Sequence, residues 1–281
     1  MATKTIALLH PGEMGAAVGA CLAGRDHRIV WASAGRSAET IARAQAAGLR
    51  DLQTLARCVR DAEIVFSVCP PSAALDLARE VAVAGFRGLY VDANAIAPDT
   101  TREVGRIVGA AGATFVDGGI VGPPPVPGVR SRLYLSGGPA NDVAALFAQT
   151  SMEAVALDGP VGAASALKAC YAAWTKGAQT LLAGVRALAQ HEGVEAALLA
   201  EWATSQPGVE KRSESLLGNA RKAWRWIGEM EEIALAMKSA GLPSGFHDAS
   251  AEICKRLEAF KDRPKPSSFA EITAALGHPA R

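Results

Sequence analysis

Apolar residues in the first half of the chain fall in short runs, and in the second half they spread out at helical spacing. Thr5–Leu9, Arg28–Ala32, Ile64–Val68, Leu89–Asp92, Thr114–Asp117 and Leu133–Ser136 are brief apolar or β-branched runs ending in turn-forming residues, a pattern that predicts strands. Gly12–Leu22 and Ser37–Ala47 carry helical apolar spacing between the first of them. Strands alternating with helices at this rhythm predict βαβ units in a doubly wound, mostly parallel α/β sheet, with ligands at the carboxyl ends of the strands. From residue 161 the strand signal disappears. Val161–Gln190 reads as one long helix. Helical segments follow at 195–204, 209–239, 246–262 and 267–276, broken by Pro207, Gly241-Leu242-Pro243 and Pro264-Lys265-Pro266. The expected division is an α/β domain over 1–160 and an all-α domain over 161–281.

Composition narrows the class without choosing a function. The 281 residues are 49% hydrophobic and 20% charged, as in an ordinary globular protein of two domains. With 29 basic and 28 acidic residues the formal net charge is +1, which gives no overall reason to expect nucleic acid or an anionic membrane as partner. Cys21, Cys58, Cys69, Cys170 and Cys254 are scattered with no CxxC pair. Neither a disulfide framework nor a metal site is expected, and reduced thiols suit a cytoplasmic protein. Met1 leads through Lys4 straight into a strand, with no leader-like apolar region. No apolar run is long enough to span a bilayer.

The sharpest motif lies between the first strand and the first helix, in His10-Pro11-Gly12-Glu13-Met14-Gly15. Aligned on GxGxxG, Gly12 and Gly15 take the second and third glycine positions and His10 replaces the first. Gly12 would let the backbone approach a pyrophosphate, Gly15 would allow close helix–strand packing, and the helix N-terminus would offer N–H groups to phosphate. This predicts a dinucleotide-binding Rossmann domain; a plain strand–turn–helix is the alternative. The second strand ends Trp31-Ala32-Ser33-Ala34-Gly35-Arg36-Ser37, without the carboxylate that would bond a ribose 2′-hydroxyl. Arg36 would offer a planar fork to a 2′-phosphate, with Ser33 and Ser37 as hydroxyl donors, so NADP(H) is the expected cofactor.

Several further runs resemble the β-hydroxyacid dehydrogenase superfamily, which includes 6-phosphogluconate dehydrogenases and imine reductases. HPGEMG is similar to its GxGxMG. Phe66-Ser67-Val68-Cys69-Pro70-Pro71 resembles the strand end beside the cofactor, Asp92-Ala93-Asn94-Ala95-Ile96-Ala97-Pro98 its D-x-S-T-x-x-P segment, and Asp117-Gly118-Gly119-Ile120-Val121-Gly122 its substrate loop. Gly159–Lys168 resembles the glycine-and-lysine signature opening the interdomain helix, and Trp224–Glu232 a poorly characterised helical domain of some members. The resemblance implies a homodimer and makes Lys168 the catalytic acid/base, which protonates the alkoxide left by hydride arrival at a carbonyl. It implies cofactor contacts from His10, Pro11, Gly12, Glu13, Met14, Ser33, Arg36, Cys69, Pro70 and Asn94. Substrate contacts are expected from Asn94, Gly118, Gly119, Ile120, Tyr171, Thr175 and His247.

There are departures from the family pattern. Ala172 stands where the family places an asparagine, Asn94 where it has serine, and Val121 where a serine holds a carboxylate. A larger or less polar carbonyl compound than a standard β-hydroxyacid is therefore expected. The alternatives are an imine reductase and an NADPH-binding sensor without turnover. Gly118-Gly119 reads either as exposed N–H groups or as a simple turn. The stripe Trp224, Trp226, Met230, Ile233 and Met237 reads as core or dimer packing rather than substrate contact.

Overall fold

The computed structural model describes residues 3–261, 263 and 268–277, so Met1 and the expected break at Pro264–Pro266 lie outside the described residues. Two compact units are formed, Met1–Ala169 and Cys170–Arg281. In the first, β1 (Thr5–Leu9), β2 (Arg28–Trp31), β3 (Arg50–Asp51), β4 (Ile64–Ser67), β5 (Leu89–Asp92), β6 (Thr114–Val121), β7 (Ser131–Ser136) and β8 (Met152–Ala156) form one sheet. Their spatial order is β3-β2-β1-β4-β5-β6-β7-β8. Every neighbouring pair is parallel except β6 and β7. The helices between them are α1 (Glu13–Ala23), α2 (Ala38–Ala46), α3 (Leu55–Asp61), α4 (Ala74–Val83), α5 (Pro98–Ala110) and α6 (Ala140–Leu146), with α7 (Ala163–Thr175) after β8.

Alternation along the strands sends side chains into two cores. Leu8, Trp31, Phe66, Val116 and Leu133 pack on one face with Val18 and Leu22 of α1. Ala7, Val30, Val65 and Tyr90 pack on the other with Leu77 and Val81 of α4 and Val104 and Val108 of α5. Burial on both faces explains why these strands read as continuous apolar runs. The order reverses at β1, which has β2 on one side and β4 on the other. That is the switch point where α/β sheets open a crevice outside the strand ends.

The structure adds three strand segments to those expected. β3 has only two residues and β8 carries Glu153 in a short mixed run, so neither gives a periodic signal. β6 continues past Asp117 because β7 returns antiparallel to it, pairing Gly118 with Leu135 and Gly119 with Tyr134. The Gly118-Gly119 pair is therefore strand and not a turn.

The second unit contains α8 (Gly177–His191), α9 (Glu195–Ser205), α10 (Val209–Ser213), α11 (Ser215–Asn219), α12 (Trp226–Ser239), α13 (Gly245–Arg256) and α14 (Phe269–Leu276). Ala183, Leu216, Ala220, Ala223, Leu257 and Ile272 form its core. The single helix expected over 161–190 is interrupted at Lys176, between α7 and α8. Gly177 begins α8 there, and it packs against the ring of His247, whose Nε2 a Cβ on Gly177 would meet at 3.3 Å. The segment expected as one helix over 209–239 is broken into α10, α11, a 3₁₀ turn and α12. The Ser213 and Ser215 hydroxyls bond back to the Glu210 and Arg212 carbonyls at those breaks, which competes with the helical ladder. Met230 and Ile233 of the aromatic stripe are buried, as packing residues would be.

Candidate active site

The β1–α1 turn has the shape of a phosphate cradle despite its histidine. His10 adopts φ +66°, the left-handed conformation that a glycine would take without strain. For a side chain that costs about 1–3 kcal/mol. The Gly12 N–H closes the turn onto the His10 carbonyl at 2.8 Å. Gly15 must lack a side chain, since a Cβ would sit 2.5 Å from the His10 carbonyl oxygen. At Gly12, by contrast, a Cβ would meet nothing within 4 Å, so the backbone is open to an approaching group. Arg43 reaches across from α2 to the Pro11 carbonyl at 3.4 Å. Met14 packs partly into the core, and Glu13 is exposed in the first turn of α1. The His10 Nδ1 is buried without a hydrogen-bond partner. Burial, helped by the charge of Arg36, lowers the imidazole pKa to about 4, so it is neutral at physiological pH. An open backbone, a helix N-terminus and an orphaned imidazole nitrogen fit a dinucleotide pyrophosphate.

Arg36 is exposed in the β2–α2 connection, after Gly35 at φ +74°. Its charge is felt at both His10 and Cys69, the residues that follow β1 and lie just beyond β4. Ser37 caps α2, its hydroxyl accepting the Thr40 N–H at 3.3 Å. One carboxylate near Ser33 escaped sequence reasoning. Asp51 pairs with Trp31 across β2 and β3, and its Oδ1 accepts the N–H groups of Ser33 at 3.2 Å and Gln53 at 2.7 Å. It lies 18 residues beyond Ser33 on a two-residue strand, so no local motif marks it.

At the ends of β4 and β5 the Asn94 amide is a brace. Its Oδ1 accepts the Cys69 N–H at 2.6 Å, and its Nδ2 donates to Ser67 Oγ at 2.9 Å and to Asp92 Oδ2 at 2.8 Å. Both amide hydrogens are engaged and the residue is 2% exposed. The expected cofactor and substrate contact from Asn94 is therefore met by a side chain already tied into the sheet, holding the Cys69-Pro70 backbone in place. Burial pushes the Cys69 thiol up to about 12.

Asp117 is fully buried, and its carboxylate accepts five hydrogen bonds. Its Oδ2 accepts the N–H groups of Gly162, Ala164 and Ser165 at 2.9, 3.0 and 3.1 Å and the Ser136 hydroxyl at 2.8 Å. Its Oδ1 accepts the Ser165 hydroxyl at 2.6 Å. With that proton committed, Thr101 on α5 must be the donor in its 2.7 Å bond to Ser165. The carboxylate thus caps α7 and satisfies the orphan N–H groups of its first turn. Lys168 follows one turn later. Gly119, two residues beyond Asp117 on the same face of β6, lets α7 come close: a Cβ there would lie 2.7 Å from the Ala164 carbonyl oxygen and 2.9 Å from Lys168 Cβ. Gly118 on the opposite face would meet the Asp92 carbonyl oxygen at 2.8 Å, and Ile120 is buried in the core.

Asp92 lies beside Asp117 in the parallel register of β5 and β6. Among the described residues its carboxylate receives bonds only from Asn94, through the backbone at 3.0 Å and the side chain at 2.8 Å. Burial first, and then the charge of Asp117, raises its pKa to about 7 against the Asn94 bonds that lower it.

Thus His10–Met14, Ser33, Arg36, Cys69, Pro70 and Asn94 gather at the carboxyl ends of the parallel strands, and Lys168 lies against the β6 extension in the same unit. Tyr171, Thr175 and His247 belong to the second unit. Tyr171 is exposed and its carbonyl accepts the Thr175 hydroxyl at 2.9 Å. His247 is buried, with Nε2 at 3.5 Å from the Ala173 carbonyl and Nδ1 without a partner. Among the described residues no cluster suited to a metal ion is present. Sequence reasoning missed Thr101, Ser136 and Ser165 as supports of the site, because a buried hydroxyl has no periodic signature.

Replacing Asp117 by alanine strands the Gly162 and Ser165 N–H groups and removes the acceptor of the Ser136 and Ser165 hydroxyls, while the Ala164 N–H keeps Ser136 Oγ at 3.1 Å. A stability loss of about 3 kcal/mol or more is expected in urea unfolding; an unchanged midpoint would remove Asp117 as the anchor of α7. For Asp92 the folded pKa of about 7 lies above the ordinary aspartate value of 3.8, so the folded state holds the extra proton. Its contribution therefore falls as pH rises through that window and is fully lost above it. Asp92→Asn should flatten the decline in thermal midpoint between pH 5 and pH 8, and parallel profiles for both proteins would reject the assignment.

Residues 5–155 match the family described as the NAD binding domain of 6-phosphogluconate dehydrogenase, and residues 189–257 match a domain of unknown function (DUF1932). No curated protein matches the chain in sequence. Among solved structures, the 3-hydroxyisobutyrate dehydrogenase of Mycobacterium tuberculosis, determined with L-serine, superposes with a TM-score of 0.70 at 20% identity, over 99% of this chain and 100% of its own. A conserved hypothetical protein from Sinorhizobium meliloti gives 0.70 at 23% identity, over 98% and 96%. The reductive aminase of Aspergillus terreus, in complex with NADPH and ethyl levulinate, gives 0.57 at 18% identity, over 98% and 99%. These likenesses establish a shared fold. The sequence match, spanning just over half of the 281 residues, establishes more: this chain belongs to the family of the NAD binding domain of 6-phosphogluconate dehydrogenase.

Proposed function

We propose that the protein is an NADPH-dependent oxidoreductase that interconverts a small carbonyl compound and its hydroxy form, with Lys168 as acid/base. The observation that carries this reading is the anchoring of α7 by Asp117. It holds the base of the Lys168 side chain against Gly119, just beyond the strand ends that carry the dinucleotide turn. When bound, the dinucleotide supplies or accepts the hydride. Lys168 donates a proton to the substrate oxygen as the carbonyl is reduced, and removes it in the reverse direction. Gly12, Gly15 and the N-terminus of α1 receive the pyrophosphate, and Arg36 receives the 2′-phosphate. Asn94 acts by holding the Cys69-Pro70 backbone along the cofactor. With that amide enclosed and Val121 in place of a hydroxyl, the reading favours a weakly polar substrate. The second unit is read as the substrate and dimerisation domain, consistent with exposed Trp174, Leu181, Val185 and Leu188 at helical spacing along α7 and α8.

Calorimetric titration with NADPH and NADH side by side, followed by a screen of carbonyl and imine substrates, tests the reading. Lys168→Ala keeps the Cβ that packs on Gly119, so it should fold and bind NADPH within about twofold while turnover falls by about 10²–10⁴. Unchanged turnover removes Lys168 from the chemistry. Tight binding with no Lys168-dependent NADPH oxidation on any substrate would instead mark a sensor. Arg36→Glu should weaken NADPH by at least about tenfold relative to NADH, one charge-assisted bond being worth that much. Equal losses for the two cofactors would move the 2′-phosphate contact elsewhere.

A further inference from the structure

His10 is an unusual occupant of its position. It holds a left-handed backbone that glycine would hold freely, and it buries a ring nitrogen that no neighbour satisfies. A strained conformation and an unpaired buried polar atom on one residue mark a group whose partner arrives with a ligand. The chemistry of that ligand follows from the surroundings. His10 ends β1 at the switch point, next to the open backbone of Gly12 and the N-terminus of α1. The charged and titratable groups around the turn are Arg36 from the β2–α2 connection, Arg43 from α2 on the Pro11 carbonyl, Glu13 on the first turn of α1 and the thiol of Cys69 at the end of β4. The Arg36 guanidinium opposes a positive charge on the ring until an anion enters.

We propose that His10 couples dinucleotide binding to proton uptake, its imidazole remaining neutral in the free protein and becoming an imidazolium when the phosphates arrive. The inference rests on the dinucleotide reading of the turn and adds a role for the one side chain that departs from the glycine pattern. Two changes on binding act in the same direction. The pyrophosphate places negative charge beside the ring, and a 2′-phosphate pairs with Arg36, whose field otherwise disfavours a charged imidazole. The proton comes from solvent, goes to an imidazole nitrogen and is returned when the cofactor leaves. No bond in the dinucleotide changes.

Burial and Arg36 lower the imidazole pKa to about 4 in the free protein, against the ordinary histidine value of 6.5. The unfolded chain therefore takes up a proton between these values while the folded chain does not, and the His10 contribution to stability falls as pH drops from about 6.5 to about 4. Bound dinucleotide reverses that penalty, so affinity increases toward acid pH. The limit is about tenfold per pH unit for one proton taken up.

The test is calorimetry of NADPH and NADH binding at pH 6 in two buffers of different ionisation enthalpy, on the wild type and on His10→Asn and His10→Gly. Both replacements tolerate the left-handed backbone. The 2′-phosphate of NADPH titrates in the same range, with a pKa of about 6, so the comparison is made between proteins at fixed cofactor. The wild type should take up a fraction of a proton that both variants lack, and its affinity should increase several-fold more between pH 8 and pH 6 than theirs. Asp92→Asn should keep the wild-type uptake, which separates His10 from Asp92, whose pKa is raised to about 7. Equal proton stoichiometry in wild type and both variants overturns the coupling while leaving cofactor binding intact. Absence of heat with either dinucleotide overturns both the coupling and the functional reading on which it rests.

Discussion

The carboxylate of Asp117 is the constraint on which the geometry of the first unit depends. A charge removed completely from water is tolerated only when donors replace the solvent. Here five hydrogen bonds do so, three of them from the first turn of α7. The same bonds that keep the charge satisfied also determine where α7 begins and which way it leaves the sheet. Lys168, one turn downstream, inherits its position from that contact. Thr101 extends the arrangement to α5 through Ser165, so a strand and two helices meet at one side chain. A helix N-terminus adds its dipole to the same end.

Asp92, one strand away, shows what the absence of such donors does. Two carboxylates side by side in a buried register cannot both be charged at little cost, and the one with fewer donors takes the proton. Asn94 then becomes the element that joins this carboxyl to Ser67 and Cys69. The wall of the crevice at β4 and the anchor of α7 at β6 are thus linked through two acids adjacent in the sheet register. Glycines permit the arrangement to be this close. Gly118 and Gly119 each face backbone within 3 Å of where a Cβ would be, on opposite faces of one strand. They contribute by what they leave out.

Much of this was legible in the sequence because it is local. The six apolar runs predicted six strands, the turn after β1 predicted its helix, and the loss of strand signal predicted the helical second half. What was not legible is carried by pairing across long stretches of chain. Gly118-Gly119 is strand only because β7 returns to it, and Asp51 approaches Ser33 only because two residues of β3 pair with β2. The Asp117 web joins positions up to 64 residues apart. Its serines and threonine look in sequence like any others. Asn94 was visible as a candidate ligand, but its hydrogen bonds to Ser67, Asp92 and Cys69 are a property of the fold alone.

Residue substitutions at such a site are informative in proportion to what they leave unsatisfied. At Asn94 the chain has a larger amide where its superfamily resemblance implies a serine, and every hydrogen of that amide finds an internal partner. At Val121 a hydroxyl gives way to an apolar side chain, also without an orphan. At His10 the replacement of glycine leaves a strained backbone and an unpartnered buried nitrogen. The first two changes complete the protein's own packing and make the pocket side of the sheet less polar. The third does the opposite, leaving polarity without a partner at the point where a phosphate would arrive. Under the proposed function, such a chain would demand fewer polar groups of its substrate and respond more strongly to the charge of its cofactor.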